Sequence, residues 1–396
     1  MRPILYPILI IFLLFLPFSG KAVQLSENAE ISIMTCGPSE LIHAIYGHTA
    51  IRVKDPGINL DVIFNYGVFS FSAPNFVYRF AKGQTDYMVA AERFSDFLED
   101  YKRNGRSINE QVLNLTADGK QQLLDFLIDN ARPENREYRY NFFFDNCASR
   151  VRDVVEKEAG ATVFFQQNSG LEKTFRQHVT HYQEVLPWTN FGIQLVLGSP
   201  SDKVATAYQE MFLPYFLEKH FATAQMEVNG QKRPLVKATH RIYDAGEPES
   251  QGLRWWSPEV VLSVLLLLII WFSVSQLRRK RVNYLVDYFL LFLTGLIGLG
   301  LLWFVWYSEH PAMRPNYNLM WAIPANFLFL FLWIIKKWRS QLKWYWLVLF
   351  IWMALFLLLS PFVPQAFPLG FYLIALMVLC RSLLHSFRFF WLKNKF

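Results

Sequence analysis

The chain has 396 residues, of which 53% are hydrophobic and 17% are aromatic, and its formal net charge is +7. This length favours two domains, and the apolar excess is concentrated after Ser257, where apolar runs alternate with short basic clusters. Because much of the positive charge lies beside those runs, where it orients membrane helices, it gives no reason to expect a nucleic-acid partner.

Residues 1–22 have the pattern of a secretory signal: a short basic start, an apolar stretch and a small-x-small end at Gly20-Lys21-Ala22. An uncleaved anchor helix is the alternative interpretation. Both interpretations put residues 23–255 outside the cytoplasm, as a water-facing domain with charges and polar turns throughout.

Strand-like runs, of which 30–36 and 49–54 alternate apolar and polar residues, indicate β-strands in the first part of this domain. The predicted strands are 30–36, 49–54, 61–66, 86–90 and 108–115, with predicted helices at 93–102 and 119–130. A turn at 55–57 (Asp-Pro-Gly) makes the second and third strands a hairpin. His48, at the start of one strand, is therefore expected near Asn65 on its partner.

A helix is predicted to begin at Asp145 or Asn146, because both residue types cap helix N-termini and the valines within 151–155 then share one face. Cys147 would occupy the first helical position. There the helix dipole and the free N–H groups favour a thiolate, and the same amides are able to hold an oxyanion.

A cysteine nucleophile needs an imidazole base and a group that orients the base. His48 and Asn65 supply these two functions for Cys147. The alternatives are a buried structural cysteine, an edge histidine and an asparagine that serves the hairpin. With only three cysteines in the chain there is no disulfide framework, although Cys36 and Cys147 could pair in an oxidising compartment.

No metal site is expected. His178 and His181 have helical spacing, but no acidic or cysteine companions accompany them, so we interpret both as surface residues.

Residues 256–396 contain apolar runs long enough to cross a bilayer. The five runs are 260–277, 284–307, 319–335, 344–361 and 367–384. Basic clusters follow the first, third and fifth runs (Arg381 belongs to the last cluster), so the water-facing domain is expected outside and the C-terminus inside. Asp287 is expected to be an interfacial carboxylate, and the polar segment 310–321 is either a solvated loop or a contact for a lipid head group.

Several motifs resemble the Lnb family of Bacteroidetes, lipoprotein N-acyltransferases with an N-terminal periplasmic domain and a C-terminal membrane domain. These motifs lie at 46–53, 64–67, 145–149, 187–198 and 316–321, and the resemblance covers essentially the whole chain. The histidine and cysteine motifs also resemble circularly permuted papain-like enzymes of the NlpC/P60 and lecithin:retinol acyltransferase group. The implied fold is α+β: a permuted papain-like (NlpC/P60-like) domain followed by an all-α membrane domain of about five helices.

The resemblance implies that Cys147 is the nucleophile and His48 its base. The motifs do not determine the third residue, for which we choose Asn65, with Asp86 in reserve. The substrate-binding positions expected with them are Tyr46, Asn146, Ser149, His310, Asn316 and Asn318. The implied reaction transfers an acyl chain from a membrane phospholipid, through a cysteine thioester, to the α-amine of a diacylglyceryl-cysteine lipoprotein. It needs neither cofactor nor metal, and it takes place on the periplasmic side of the inner membrane.

Two other functions fit the same residues. A papain-like amidase or peptidase acting on cell-wall peptide would use Cys147 and His48 but would not need five membrane helices. A non-catalytic envelope scaffold would use Cys147 as a structural residue only.

Overall fold

The computed structural model describes residues 23–69, 74–167, 170, 172–246, 255–281 and 283–390. The predicted signal segment 1–22 lies outside these residues. Within them a sheet-rich domain precedes a helical region, so the α+β class expected from the sequence is confirmed.

Two antiparallel sheets form the first domain. The strands are β1 (Glu30–Cys36), β2 (His48–Asp55), β3 (Leu60–Val68), β4 (Asp86–Arg93), β5 (Ile108–Leu113), β6 (Glu137–Arg139), β7 (Thr162–Phe164), β8 (Gln225–Val228), β9 (Gln231–Pro234) and β10 (Val236–Tyr243). The larger sheet has the order β10-β5-β1-β2-β3-β4-β6, and the smaller sheet has the order β7-β8-β9. The predicted strands are observed, but β4 continues to Arg93, three residues beyond its predicted end.

Helices cover both faces of the larger sheet. Those of this domain are α1 (Phe76–Lys82), α2 (Phe94–Arg103), α3 (Ala117–Asn130), α4 (Cys147–Glu158), α5 (Phe175–Gln183), α6 (Pro187–Val196), α7 (Ala207–Glu210) and α8 (Pro214–Thr223). Since side chains alternate along a strand, Ile33 of β1 shares a core with Val151 of α4. Met34, its neighbour, packs on the opposite face with Phe97 and Tyr101 of α2.

His178 is buried, so its predicted surface position is wrong. It belongs to α5, which packs against α8 in one aromatic core, and this contact removes the ring from solvent. The fully buried carboxylate of Glu210 lies between two imidazoles: His178 Nε2 is 3.3 Å from Oε1, and His220 Nε2 is 3.2 Å from Oε2. No group of three or more His, Cys, Asp or Glu in the described ranges has an arrangement that could hold a metal ion.

The second region consists of apolar helices. They are α9 (Pro258–Arg279), α10 (Leu285–Tyr307), α11 (Ala325–Ile334), α12 (Arg339–Leu359) and α13 (Leu369–Phe390). In the described part of the chain, four helices are long and apolar enough to cross a membrane, and the number rises to five if the bent pair 311–320 and 325–334 is one span.

The third predicted run, 319–335, is not one continuous helix. Its α-helical part, α11, has 10 residues, which rise about 15 Å, whereas a bilayer core is about 30 Å thick. Two 3₁₀ turns precede it, Pro311–Met313 and Tyr317–Met320, and the two parts meet at 40°. Helix α10 lies against this segment so closely that a Cβ on Gly298 would come within 2.3 Å of the Ala322 carbonyl oxygen.

Asp287 is buried within the helical region and pairs with Arg381. Its carboxylate accepts two hydrogen bonds of 2.7 Å from Arg381, and each residue is 1% exposed. His385 Nε2 lies 2.9 Å from the same carboxylate, and Ser273 and Gln276 accept further hydrogen bonds from Arg381. Arg381 therefore joins α9, α10 and α13 and is not part of a solvent-facing basic cluster, because these contacts bury its guanidinium.

Candidate active site

Asn146 caps α4, which makes Cys147 the first residue of that helix, as the sequence predicts. The Asn146 Oδ1 accepts hydrogen bonds from the N–H groups of Ala148 at 2.9 Å and Ser149 at 3.0 Å, and the Ser149 hydroxyl accepts from the Asn146 N–H at 2.8 Å. This reciprocal cap fixes the start of the helix. Since Asn146 and Ser149 are buried and bonded to protein, their expected contact with substrate gains no support from this arrangement.

Cys147 is a free thiol, and the disulfide considered above is not formed. Its side chain lies against Gly67 at the end of β3, where a Cβ added to Gly67 would come within 3.3 Å of the Cys147 Cβ. Gly67 also has a φ of +89°. The backbone N–H of Thr49 is close enough to lower the pKa of the thiol. Because Thr49 follows His48, the sulfur and the histidine lie at the same end of β2.

A chain of hydrogen bonds runs from His48 through Asn65 to Glu92, across β2, β3 and β4. His48 Nε2 donates to Asn65 Oδ1 at 2.9 Å, and Asn65 Nδ2 donates to Glu92 Oε1. Because a carboxylate accepts and does not donate, Glu92 fixes the Asn65 amide with its oxygen toward the imidazole. That oxygen holds the proton on Nε2, which leaves Nδ1 as the basic nitrogen of the neutral ring.

Glu92 was not predicted as a site residue, because the predicted strand ended at Ala90. Apolar and polar residues do not alternate through 86–93, because residues 87–91 are all apolar, so the local pattern gave no signal that Glu92 lies on the strand near Asn65.

No hydrogen bond joins the Cys147 sulfur to the His48 ring within the described residues. Catalytic hydrogen bonds often tighten only when substrate is bound. The direct contact between sulfur and imidazole therefore stays a prediction for the substrate complex.

Burial determines the protonation of both groups. It raises the pKa of Cys147 above the ordinary value, although the N–H groups of Thr49, Ala148 and Cys147 itself lower it. Burial also lowers the pKa of His48 to about 4, against the opposing effect of its hydrogen bond to Asn65. The resting pair at neutral pH is therefore a thiol and a neutral imidazole. The thiolate expected from the helix N-terminus is wrong for this state, because desolvation outweighs the helix amides.

We expect the alkylation rate of Cys147 to keep rising with pH above about 8.5, the ordinary thiol pKa, because the thiolate is the reactive form and its pKa is raised. Iodoacetamide rates from about pH 5 to about pH 10, read peptide by peptide in a mass spectrometer, measure this. Cys36, whose pKa burial raises to about 12, is an internal reference that should react more slowly. A rate that is already constant below about pH 7 would show a preformed thiolate and contradict the assignment.

Tyr46 and Asp86 lie outside the hydrogen-bond chain. The Tyr46 hydroxyl accepts a hydrogen bond from Gln183 Nε2, and this contact holds the segment before β2 against α5. Asp86 pairs with two arginines, each at 2.9 Å. Asn65, and not the reserve residue Asp86, therefore contacts His48.

His310, Asn316 and Asn318 are buried between the two domains. His310 Nε2 donates to the carbonyl of Phe80 at the end of α1, at 2.8 Å. Asn316 Nδ2 and Asn318 Nδ2 both donate to the carbonyl of Leu195 in α6, at 3.0 and 2.9 Å. The solvated-loop alternative is wrong for these positions, and a head-group contact gains no support because the side chains bond protein.

A cavity of about 260 Å³ opens beside His48. Its lining contains the charged residues Glu92, Asp100 and Arg106, which we call the charged wall, and apolar side chains that include Phe69. The cavity therefore offers charged and apolar groups next to His48, and it is also lined by Gly67, the residue against which Cys147 lies.

Aromatic contacts lead from the cavity lining toward the helical region. Phe69 stacks on Phe76 of α1 at 5.4 Å between ring centroids. On the same helix Val77 is 77% exposed and Tyr78 is 55% exposed, and the Tyr78 ring lies 5.8 Å from Trp303 of α10. Aromatic side chains thus connect the cavity to the end of a helix that is apolar enough to cross a membrane.

Two family models match the chain. The Lnb N-terminal periplasmic domain matches residues 21–180, which contain His48, Asn65 and Cys147. The Lnb transmembrane domain matches residues 249–392, which contain α9 to α13. No curated protein and no solved structure gives a significant match.

Proposed function

The chain belongs to the Lnb family, whose members combine a periplasmic domain with a transmembrane domain, and from this premise we propose that it is a lipoprotein N-acyltransferase. In this proposal Cys147 takes an acyl chain from a membrane phospholipid and passes it to the α-amine of a diacylglyceryl-cysteine lipoprotein. The observation that carries the proposal is a free cysteine at the first position of α4 that lies against Gly67. Gly67 lines one cavity with an imidazole that Asn65 and Glu92 orient.

The first step forms a thioester. His48 Nδ1 takes the thiol proton while the Cys147 sulfur attacks the ester carbonyl of the phospholipid, and the carbonyl oxygen becomes an oxyanion. Backbone N–H groups next to the sulfur, such as that of Thr49, are the kind of donor that stabilises such an oxyanion. When the carbon–oxygen bond breaks, the imidazolium returns the proton to the lysophospholipid that leaves.

The second step forms the amide. The α-amine of the lipoprotein attacks the thioester carbon, and His48 accepts a proton from the attacking nitrogen. The carbon–sulfur bond then breaks, the Cys147 sulfur leaves as thiolate, and the imidazolium protonates it. The products are an N-acylated lipoprotein and the free thiol of the resting enzyme.

A neutral imidazole suits both steps because each step begins with a proton that His48 must accept. Since its pKa is lowered to about 4, the ring is neutral over the whole physiological range. A proton on a histidine of such low pKa is also readily given up to the leaving group.

Attachment to the bilayer suits substrates that are anchored in lipid, because it replaces a search through solution by local encounter. We assign residues 1–22 to a signal segment, 23–255 to the periplasmic catalytic domain and 256–396 to the membrane domain. The protein is then a multi-pass inner-membrane protein with its C-terminus in the cytoplasm, because basic clusters such as 278–281 lie on the side opposite the catalytic domain.

The two alternative functions, a cell-wall amidase and a non-catalytic scaffold, would each leave some observed features without a use. A cell-wall amidase would need neither the exposed apolar side chains of α1 nor the row of aromatic rings from Phe69 to α1. A scaffold would not need an unpaired cysteine with an oriented imidazole near it.

We expect Asn65→Ala to lower the rate of acyl transfer on the order of 10²-fold, because an imidazole misplaced by about 1 Å loses its alignment with the reacting atoms. Glu92→Gln should lower it less, since the side-chain carbonyl oxygen of Gln still accepts the hydrogen bond from Asn65 Nδ2. Initial rates in lipid vesicles measure both variants, and thermal unfolding checks that both are folded. A rate for Asn65→Ala within about threefold of the parent would remove Asn65 from the site.

The function is tested by the acylation state of lipoproteins in cells with and without this gene. Mass spectrometry of their N-terminal peptides should show triacylated forms in the presence of the gene and diacylated forms in its absence. An unchanged triacylated fraction, together with altered cell-wall peptides, would favour the amidase instead.

A further inference from the structure

Charges of opposite sign share the catalytic cavity without pairing. Arg106 lines it together with Glu92 and Asp100, next to His48. Across the part of the chain that the structure describes, no ion pair within 4.0 Å joins Arg106 to either carboxylate. A cavity of this kind is suited to a ligand that carries both a negative and a positive charge.

Arg106 is positioned to bind an anion. Its Nε donates to the Gly37 carbonyl at 2.9 Å, and its guanidinium lies over the Tyr101 ring, 4.6 Å from the centroid, so its plane is fixed. Its Nη2 atom is buried and has no hydrogen-bond partner among the described residues. A buried donor without an acceptor costs free energy, and a guanidinium matches the geometry of a phosphate.

Glu92 and Asp100 form the negative part of the same wall. Burial and the neighbouring carboxylates of Asp100 and Asp96 raise the pKa of Glu92, against the hydrogen bond from Asn65. A cation bound between Glu92 and Asp100 would relieve this repulsion. The cavity, at about 260 Å³, is smaller than the sites of drug-sized ligands, so it suits a lipid head group better than a whole lipid.

We propose that the charged wall binds the zwitterionic head group of the donor lipid, with its phosphodiester on Arg106 and a primary ammonium on Glu92 and Asp100. Phosphoethanolamine has this chemistry. The inference rests on the proposed function, because it identifies the head group of the acyl donor. It also gives the donor an orientation: the head group lies on the charged wall, the acyl chain follows Phe69 toward α1, and the ester lies between them.

The test measures formation of the thioester on Cys147 by the full-length protein, with no acceptor present. Mixed micelles contain either phosphatidylethanolamine or phosphatidylglycerol with identical acyl chains, since only the first carries an ammonium. We expect acylation from phosphatidylethanolamine to be about tenfold faster, as the loss of one charged hydrogen bond implies. Asp100→Asn should reduce this ratio to about two or less, and Arg106→Gln should slow acylation from both lipids about tenfold or more.

Glu99→Gln is the matched control, because Glu99 is the preceding residue of α2 and pairs with Arg103 on the surface. It should leave both rates and their ratio unchanged. Equal rates from the two lipids in the parent protein, or a ratio that Asp100→Asn does not change, would overturn the proposal. An effect of Asp100→Asn only on the later attack by an added amine would assign the ammonium site to the acceptor and also overturn it.

A second measurement does not depend on acyl transfer. Glycerophosphoethanolamine, which is soluble in water, should slow the alkylation of Cys147 by iodoacetamide, and glycerophosphoglycerol at the same concentration should slow it less. Equal protection by both compounds would contradict the proposal. If no phospholipid acylates Cys147 but the selective protection is present, the acyltransferase function fails while the head-group site remains.

Discussion

Cys147→Ala is expected to lower acyl transfer from phospholipid to a diacylated lipopeptide by at least about 10³-fold, because removal of a covalent nucleophile leaves only binding and electrostatic stabilisation. Cys147→Ser should recover little, since an alcohol is harder to deprotonate than a thiol and His48, with a pKa of about 4, is a weak base. The N-acylated product is quantified by mass spectrometry, with purified full-length protein in phospholipid vesicles.

Cys36→Ala is the control for this experiment. Cys36 is buried and lies opposite His48 in the pairing of β1 with β2, so it is a second cysteine close to the same imidazole. The Cys36 variant should keep its activity within about threefold of the parent, since a cavity of one sulfur atom disturbs packing but removes no reacting group. Transfer that survives in Cys147→Ala and is lost in Cys36→Ala would show that Cys36 is the nucleophile.

Asp287→Ala is expected to destabilise the membrane region by about 3–5 kcal/mol, because it leaves a buried guanidinium without its carboxylate. Arg381 is 1% exposed and would keep only neutral partners, Ser273 and Gln276 among them. Arg381→Met should cost a similar amount, since it leaves the Asp287 carboxylate buried without its guanidinium and with only the His385 ring close to it. Unfolding of the detergent-solubilised protein, followed by tryptophan fluorescence against denaturant, gives these free energies.

The double variant distinguishes a coupled pair from two independent losses. When both charged side chains are removed, neither is left buried without the other. Asp287→Ala combined with Arg381→Met should therefore cost clearly less than the sum of the single changes. Glu99→Gln, which breaks an exposed pair with Arg103, should change the free energy of unfolding by no more than about 0.5 kcal/mol. Additive losses at positions 287 and 381 would contradict the coupling.

The sequence predicted the parts of the site that depend on neighbours in the chain. The position of Cys147 follows from the capping chemistry of Asn146 and Ser149, which acts within four residues. The contact of His48 with Asn65 follows from a short hairpin, whose register places 48 and 65 near one another.

Residues that reach the site from more distant strands could not be predicted in the same way. Glu92 arrives from β4 and Arg106 from the segment before β5, so their approach to His48 depends on the order of strands in the sheet. Alternation identifies strands but does not determine their order. The raised pKa of Cys147 was also out of reach, because desolvation depends on the complete packing around the sulfur.

In the membrane region, too, local features could be predicted from the sequence and contacts between distant residues could not. Apolar length predicted where helices lie, but Asp287 and Arg381 are 94 residues apart in the chain, and nothing local relates them. The available signal was that apolar runs contained one charge of each sign, which in a membrane are commonly paired with one another. Proline and asparagine around residues 311–324 were likewise a signal that the third run would be interrupted.

Whether Cys147 carries the acyl chain is tested most directly by trapping the intermediate. The full-length protein is incubated with phospholipid labelled in its acyl chains, without acceptor, and is then digested for mass spectrometry. We expect an acyl adduct on the peptide that contains Cys147, sensitive to hydroxylamine and consumed when a diacylated lipopeptide is added. Formation of N-acylated product with no adduct on Cys147 at any time, or with an adduct on another residue, would contradict a mechanism through this thiol.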